Sequence, residues 1–250
     1  MRRVTAEAVG SFLLVFAAGG ALFVGEPAGS ATLVALAAGM ALAAATLVLG
    51  PISGACLNPA VAVAAAIAGR LRAREMAAYV AAQLAGATAA AALLAVLARG
   101  RAGATQEAPA LLANGWGALS PGWYGMEVAL VVELGLGAVL VLAWLGVSQA
   151  SWWRRALLLG ALQVALYLVA VPVTGAALNP ARALATAWFV GGVALEQVWL
   201  FVAAPLAGAI VAALLHRAVR GRGVPRLARA GGAVATSCAA LLQPVRFPTR

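Results

Sequence analysis

Residues 52–60 read ISGACLNPA, and residues 173–181 repeat the phrase as VTGAALNPA. The chain contains only three asparagines, and two of them, Asn58 and Asn179, stand at the same place in the two copies. Each is followed by proline and alanine, which gives the triplets Asn58-Pro59-Ala60 and Asn179-Pro180-Ala181. A shared phrase of this length predicts an internal repeat.

The sequence around the two phrases repeats as well. Residues 83–87 (QLAGA) are echoed by residues 205–209 (PLAGA), and Glu7 has a counterpart in Glu133. We predict one domain over residues 1–220, with repeat halves at about 1–98 and 124–217, followed by a basic tail at 221–250. We expect this tail to be disordered, with a segment lying on the membrane surface as the alternative.

The composition assigns the chain to a membrane. Of its 250 residues, 64% are hydrophobic and 10% are charged, whereas soluble domains are about 25% charged. The net charge of +10 comes from arginines that lie mostly between apolar segments. This arrangement favours anionic lipid over nucleic acid as the partner of the basic residues.

The charged residues also limit the chemistry. The chain contains no Asp and no Lys, and its only histidine is His216. These absences exclude a phospho-aspartate pump, a Walker lysine and a lysine Schiff base. A single histidine cannot build a multi-histidine metal site. We therefore predict that the protein is not an enzyme and holds no metal or cofactor.

Six apolar segments are long enough to cross a bilayer as helices, which takes about 20 residues. They lie at about 6–24, 31–50, 75–98, 126–147, 156–173 and 196–216. Two shorter apolar stretches, 58–68 and 179–190, reach only about halfway across. The predicted fold class is an all-α membrane protein with six transmembrane helices and two re-entrant half-helices.

Arginine marks one side of the membrane. The positive-inside rule places the arginine-rich segments in the cytoplasm, at 2–3, 70–74, 154–155 and 217–229. Both termini are then cytoplasmic, which requires an even number of spans. Three spans in each half also give the two halves inverted topology.

Inverted halves bring their half-helices in from opposite faces, so that both N-termini point at each other near the midplane. Asn58 and Asn179 are favourable N-caps, and the proline after each suits the first helical turn. The positive dipole ends would repel cations. Each Asn side-chain oxygen would cap its helix and leave the amide free to donate to a solute. Backbone carbonyls before each cap would line a polar path, from Gly54, Ala55 and Cys56 in the first copy and from Gly175 and Ala177 in the second.

With a doubled Asn-Pro-Ala phrase on an inverted three-plus-three repeat, the chain resembles the major intrinsic protein family, the aquaporins and glycerol facilitators. The resemblance covers about residues 4–217. It implies a homotetramer with one pore per subunit in the plasma membrane, and passive passage of water and small uncharged solutes. By the same resemblance, Glu7 and Glu133 are the buried glutamates that tether the unwound loops.

The resemblance also assigns a selectivity filter to Ala38, Tyr167, Ala176 and Arg182. Water-selective members usually have Phe, His and a small Cys or Thr at the first three places, and glycerol facilitators pair aromatics with Gly, so this set matches neither. Because bulk and the His are missing, we expect a constriction wider than one water that would pass glycerol, urea or neutral metalloid hydroxides. Arg182 would donate to neutral solutes and repel cations, with a structural pairing to a Glu as the alternative.

Two further expectations concern the pore surroundings. Pro51 and Cys56 stand where water channels often carry His, which predicts a less polar inner half of the pore. Tryptophans near the span ends are predicted to be interfacial anchors, at Trp116, Trp123, Trp152 and Trp153.

Two other functions stay open from the sequence. An inverted-repeat secondary transporter would need a coupling carboxylate near the midplane beyond Glu7 and Glu133. A structural membrane protein without conduction would need no pore.

Overall fold

A computed structural model of the chain describes residues 1–23, 30–100 and 113–221. The predicted tail lies outside the described residues except for Gly221. Met1–His216 form one compact unit, and Arg217–Arg250 form a second, of which the described part is the end of the last helix. The described residues contain these α-helices: α1 (Arg2–Gly20), α2 (Ala31–Ser53), α3 (Pro59–Ile67), α4 (Ala73–Gly100), α5 (Met126–Gly146), α6 (Trp152–Thr174), α7 (Pro180–Val190) and α8 (Gly192–Gly221).

Six helices in the described part of the chain are long and apolar enough to cross a membrane, namely α1, α2, α4, α5, α6 and α8. The predicted all-α class with six spans and two short helices is confirmed. Some helices run past the predicted apolar segments, as α4 does at Arg74 and Arg99. The helical backbone continues through such residues because a long charged side chain can reach out of the apolar layer.

The order of helix lengths repeats, since α1–α4 and α5–α8 each run long, long, short, long. Glycines allow close packing between the long helices. Gly86 of α4 lies against the carbonyl of Ala8 in α1, and Gly208 of α8 lies against the carbonyl of Leu134 in α5, so closely that a Cβ would overlap either oxygen. The repeated phrases QLAGA and PLAGA therefore mark equivalent helix contacts.

The two half-helices begin where the sequence predicted. α3 starts at Pro59 and α7 at Pro180, directly after the N-caps Asn58 and Asn179. Proline suits this position because its missing N–H would have no helical partner there.

The loops before these caps have an unusual backbone. The C-cap residues that follow α2 and α6, Gly54 and Gly175, have φ angles of 92° and 74°. The left-handed region favours glycine, yet four non-glycine residues also occupy it: Ala55 (50°), Leu57 (53°), Ala176 (55°) and Leu178 (46°). Such a backbone costs about 1–3 kcal/mol per residue, so the surrounding contacts must hold both loops in shape.

Candidate functional site

The caps of the two half-helices meet in the middle of the fold. Asn58 Oδ1 accepts a hydrogen bond from Ala60 N at 2.9 Å, and Asn179 Oδ1 accepts one from Ala181 N at 2.9 Å. Asn179 Oδ1 also lies 3.4 Å from Arg182 N. The predicted capping by the side-chain oxygens is therefore present in both copies.

The side-chain amides are not wholly free, however. Asn58 Nδ2 donates to Leu178 O at 2.8 Å, and Asn179 Nδ2 donates to Leu57 O at 3.1 Å. Each amide has two N–H groups, so this exchange between the halves leaves one donor on each Asn for a solute. The prediction that both N–H groups of each amide are free is therefore wrong for one of the two. It considered each helix cap alone and left out the loop of the opposite half.

Glu7 and Glu133 lie where the resemblance implied, beside the unwound loops. Glu7 accepts from Cys56 N at 3.1 Å and Leu57 N at 2.7 Å. Glu133 accepts from Ala177 N at 3.0 Å and Leu178 N at 2.7 Å. Both carboxylates are fully buried. These bonds satisfy loop N–H groups that would otherwise be unpaired inside the membrane.

The predicted pore carbonyls have different surroundings. The carbonyl of Gly54 accepts from Arg155 Nη2 at 3.3 Å, and that of Ala55 accepts from Trp144 Nε1 at 3.1 Å. Gly175 lies beside Asn114, and Ala177 packs in an apolar cluster with side chains of α5 and α8. Of the predicted set, the side chains of Ala55 and Cys56 line the cavity described next.

A narrow cavity of about 30 Å³ runs past both asparagines. Ala38, Tyr167 and Arg182 of the predicted filter line it, whereas Ala176 does not and is buried in the apolar cluster that also contains Ala38 and Tyr167. Val61, the counterpart of Arg182 in the first half, lines it too. The sequence did not indicate several other lining side chains, among them Leu140, Trp144, Leu159 and Gln163.

Arg182 lines this cavity and makes no ion pair within 4 Å with a carboxylate among the described side chains. Its Nη1 donates to Asn114 Oδ1 at 2.7 Å, and Asn114 Nδ2 donates to Thr174 O at 3.1 Å. The alternative of a structural pairing with Glu is therefore not supported. Asn114 was missed, although it is the third asparagine of the chain and the one outside the repeat.

A second cavity of about 380 Å³, which we call the inner cavity, shares the lining residues Cys56 and Trp144 with the narrow one. Pro51 and Cys56 line it as expected, but so do three arginines, Arg3, Arg70 and Arg155. The arginines make this cavity polar although Pro51 and Cys56 are not, and the expectation that it is less polar than in water channels with His at these places stays a prediction.

Two of the four predicted interfacial tryptophans, Trp116 and Trp152, are partly buried. Trp123 and Trp153 are exposed. Trp116 packs on Trp199 and Phe201, and the ring of Trp152 lies 4.2 Å from the guanidinium carbon of Arg155.

Comparison with known proteins gives three kinds of match. The family model described as Major intrinsic protein matches residues 1–216. Aquaporin Z of Brucella melitensis biotype 1 is 37% identical over 228 residues, covering 89% of this chain and 99% of that protein. Aquaporin Z of Rhodopseudomonas palustris is 38% identical over 222 residues, covering 85% and 90%.

Among solved structures, the aquaglyceroporin from Plasmodium falciparum superposes with a TM-score of 0.75 at 22% identity. The superposition covers 86% of this chain and 94% of that one. At this identity the match supports the fold and carries no information on solutes.

Proposed function

This chain belongs to the major intrinsic protein family, whose members are membrane channels rather than enzymes, and from that membership we propose that it passes water and small uncharged solutes. The exchanged pair of asparagine amides carries the proposal. Asn58 and Asn179 each keep one N–H for a passing oxygen while their other N–H is fixed at 2.8 and 3.1 Å. A solute that accepts hydrogen bonds is thus met by donors of fixed orientation.

Charge exclusion follows from the same geometry. The N-termini of α3 and α7 both lie at the asparagines, and a helix N-terminus carries roughly half a positive charge. Arg182, which donates to Asn114, adds a full charge to the lining of the cavity. A cation in the passage would meet donors and positive charge, whereas a neutral solute would keep its hydrogen bonds.

Water is the solute that fits first. The passage offers about 30 Å³, and one water needs about 10–15 Å³ of such space. Ala38 leaves the ring of Tyr167 as the bulky group opposite Arg182, so glycerol or urea passes when small side-chain movements widen this point. The curated relatives are named aquaporins, which supports the proposal for water more directly than for larger solutes.

We also propose a bacterial plasma membrane as the location, with both termini in the cytoplasm and four subunits in the assembly. The arginine-rich helix ends support the orientation. Large apolar side chains are exposed on the spans, for example Val48, Val131 and Leu157, which suits contact with lipid or with neighbouring subunits. Native mass spectrometry in detergent would test the assembly, and a trimer or monomer would contradict it.

Osmotic shrinkage of proteoliposomes tests the function. Protein should raise water permeability without any ion gradient, which distinguishes a channel from a coupled transporter and from a non-conducting protein. Asn58→Asp and Asn179→Asp keep the cap and the side-chain size but turn a donor towards Leu178 O or Leu57 O into an acceptor. Each should lower water flux at least about tenfold, equivalent to about 1.4 kcal/mol. Unchanged flux in both variants would disprove the donor role.

Glycerol flux is measured on the same vesicles. Ala38→Phe fills space beside Tyr167 and should lower glycerol flux more than water flux. If the unchanged protein already passes water and excludes glycerol, the predicted wide filter is wrong.

A further inference from the structure

The inner cavity contains a buried charge that the transport proposal does not use. Arg155 is only 6% exposed. Its Nη2 lies 3.3 Å from Gly54 O, while its Nε has no hydrogen-bond partner among the described residues. A buried guanidinium N–H without a partner is costly, because the group has left water and gained nothing in exchange.

Aromatic rings hold this guanidinium in place. Its central carbon lies 4.2 Å from the ring centroid of Trp152 and 5.7 Å from that of Trp144. Arg70 lies 5.6 Å from the same Trp144 ring. Stacking fixes the plane of Arg155 without using its N–H groups, and Arg155 lines the wall of the inner cavity.

The surroundings of Arg155 add further positive charge to the inner cavity. Arg155 lies in the first turn of α6, which contains no acidic residue, and a helix N-terminus favours an anion. Arg3 and Arg70 line the same cavity, and among the described lining residues none is acidic. Arg3 makes an ion pair with Glu75 at 3.5 Å, and both of those side chains are exposed.

Membrane orientation does not account for the burial of Arg155. The neighbouring Arg154 is exposed, stacks on Trp153 at 5.2 Å and does not line the cavity. An exposed arginine serves the positive-inside rule as well as a buried one. The burial of one arginine of the pair beside a polar cavity therefore needs a separate reason.

We propose that the inner cavity binds a phosphate-type oxyanion on Arg155, with Arg70 and Arg3 as further positive charges, and that the bound anion obstructs the pore. A guanidinium fork matches the oxygens of such an anion. Cys56 lines both the inner cavity and the narrow passage, so an occupant of the cavity lies at the mouth of the pore. The anion comes either from free phosphate or from the headgroup of an anionic lipid.

Binding is measured first and does not depend on conduction. Inorganic phosphate is titrated into the full-length protein in neutral detergent, at constant ionic strength set with sodium chloride, and binding is followed by calorimetry. Binding should be saturable in the unchanged protein and in Arg154→Gln, and it should be lost in Arg155→Gln. Arg155→Lys keeps the charge but not the fork, and should bind more weakly than the unchanged protein.

Obstruction is measured in vesicles of neutral phosphatidylcholine. Phosphate on the side of the inner cavity should slow water flux in the unchanged protein and in Arg154→Gln, and leave Arg155→Gln at its own phosphate-free rate. In vesicles with phosphatidylglycerol and no phosphate, a headgroup source would appear as slowed flux that Arg155→Gln relieves and that added phosphate does not deepen.

Absence of phosphate binding together with equal flux in the two lipid mixtures would overturn the proposal. So would equal responses of Arg154→Gln and Arg155→Gln. Binding without any slowing would overturn the obstruction. Absence of water conduction in all variants would contradict the proposed function, and the calorimetric result would still decide whether the anion site exists.

Discussion

Each half of the repeat holds its loop with an equivalent buried glutamate, but the two glutamates accept their third hydrogen bond from different side chains. Glu7 accepts a further bond from Gln83 Nε2 of α4 at 2.7 Å, whereas Glu133 accepts one from Thr174 Oγ1 at 2.6 Å. Thr174 belongs to the end of α6, directly before the loop. The third bond thus ties the first glutamate to another helix, α4, whereas in the second half it comes from the helix that leads into the loop, α6.

A second difference concerns charge. The position three residues after the Asn is Val61 in the first half and Arg182 in the second, and both side chains line the narrow passage. The inner cavity receives its arginines from other elements instead. The comparison teaches that the repeat supplies the scaffold of the pore, while each half adds its own polar groups to select solutes.

The largest effect is expected from removing the shared carboxylates. Glu7→Ala and Glu133→Ala each leave two buried loop N–H groups without an acceptor, at about 1–3 kcal/mol per group. The free energy of unfolding should fall by about 2–6 kcal/mol in each variant, as measured by thermal unfolding in detergent. Glu127→Ala is the control, because Glu127 is exposed in the first turn of α5, and it should change stability by less than about 1 kcal/mol. If Glu133→Ala lowers the free energy of unfolding and Glu7→Ala does not, the two halves are not equivalent.

The repeated glycine contacts should come next. In Gly86→Ala and Gly208→Ala the new methyl would overlap a carbonyl of α1 or α5, so each variant should lose about 1–3 kcal/mol of stability. Gly135 lies in α5 with no atom near the place of a Cβ, and Gly135→Ala should instead gain about 0.5–1 kcal/mol. Equal unfolding temperatures in all three variants would mean that the glycines do not set the helix distance.

Replacing Arg182 by valine gives the second half the residue that the first half has at the equivalent position, Val61. Arg182→Val should raise cation conductance at least about tenfold, equivalent to about 1.4 kcal/mol, while water flux changes less. The measurement is ion flux in vesicles under a diffusion potential. Asn114→Ala is the matched control, since it removes the 2.7 Å bond to Arg182 but keeps the charge, and it should stay cation-tight. If the cation conductance of Arg182→Val equals that of the unchanged protein, the exclusion of cations is due to the helix ends alone.

The smallest effect separates the two loop ends. Thr174 Oγ1 donates to Glu133 and accepts from Ala176 N at 3.2 Å, whereas Ser53 Oγ accepts from Ala55 N at 3.1 Å and makes only a long bond to Leu49 O at 3.5 Å. Thr174→Val should therefore destabilise the protein more than Ser53→Ala does, by about 1 kcal/mol. Equal losses on chemical denaturation would mean that the carboxylate does not need its hydroxyl partner.

Most of the fold could be predicted because its signals are local. Hydropathy finds the spans, and an asparagine followed by proline fixes the start of each half-helix at Asn58 and Asn179. The arrangement of spans then follows from counting. The exchanged amide bonds could not be predicted in this way, because they depend on the distance between two helix ends that are 121 residues apart in the sequence.

The missed site residues share a different property. They lie in loops and helix ends that contain no repeated phrase. Asn114 accepts a hydrogen bond from Arg182, Trp144 donates to Ala55 O, and Arg155 donates to Gly54 O. Two weak signals existed in the sequence. Asn114 is the one asparagine of the chain outside the repeated phrases. Gln83 is a polar residue within an apolar span, and a polar side chain there needs a hydrogen-bond partner.

The exchanged amides have a consequence for biogenesis. Asn179 lies 121 positions after Asn58, so at a synthesis rate of roughly 5–20 residues per second it emerges roughly 6–24 seconds later. Leu57 O has an interim donor in Ser11 Oγ, 3.3 Å away in the finished fold, whereas the amide of Asn58 receives its acceptor, Leu178 O, only once the second half has been inserted. A truncated chain that ends before α6 would therefore expose an incomplete first half to the quality control of the membrane, and closure of the midplane reports that the loop after α6 has arrived.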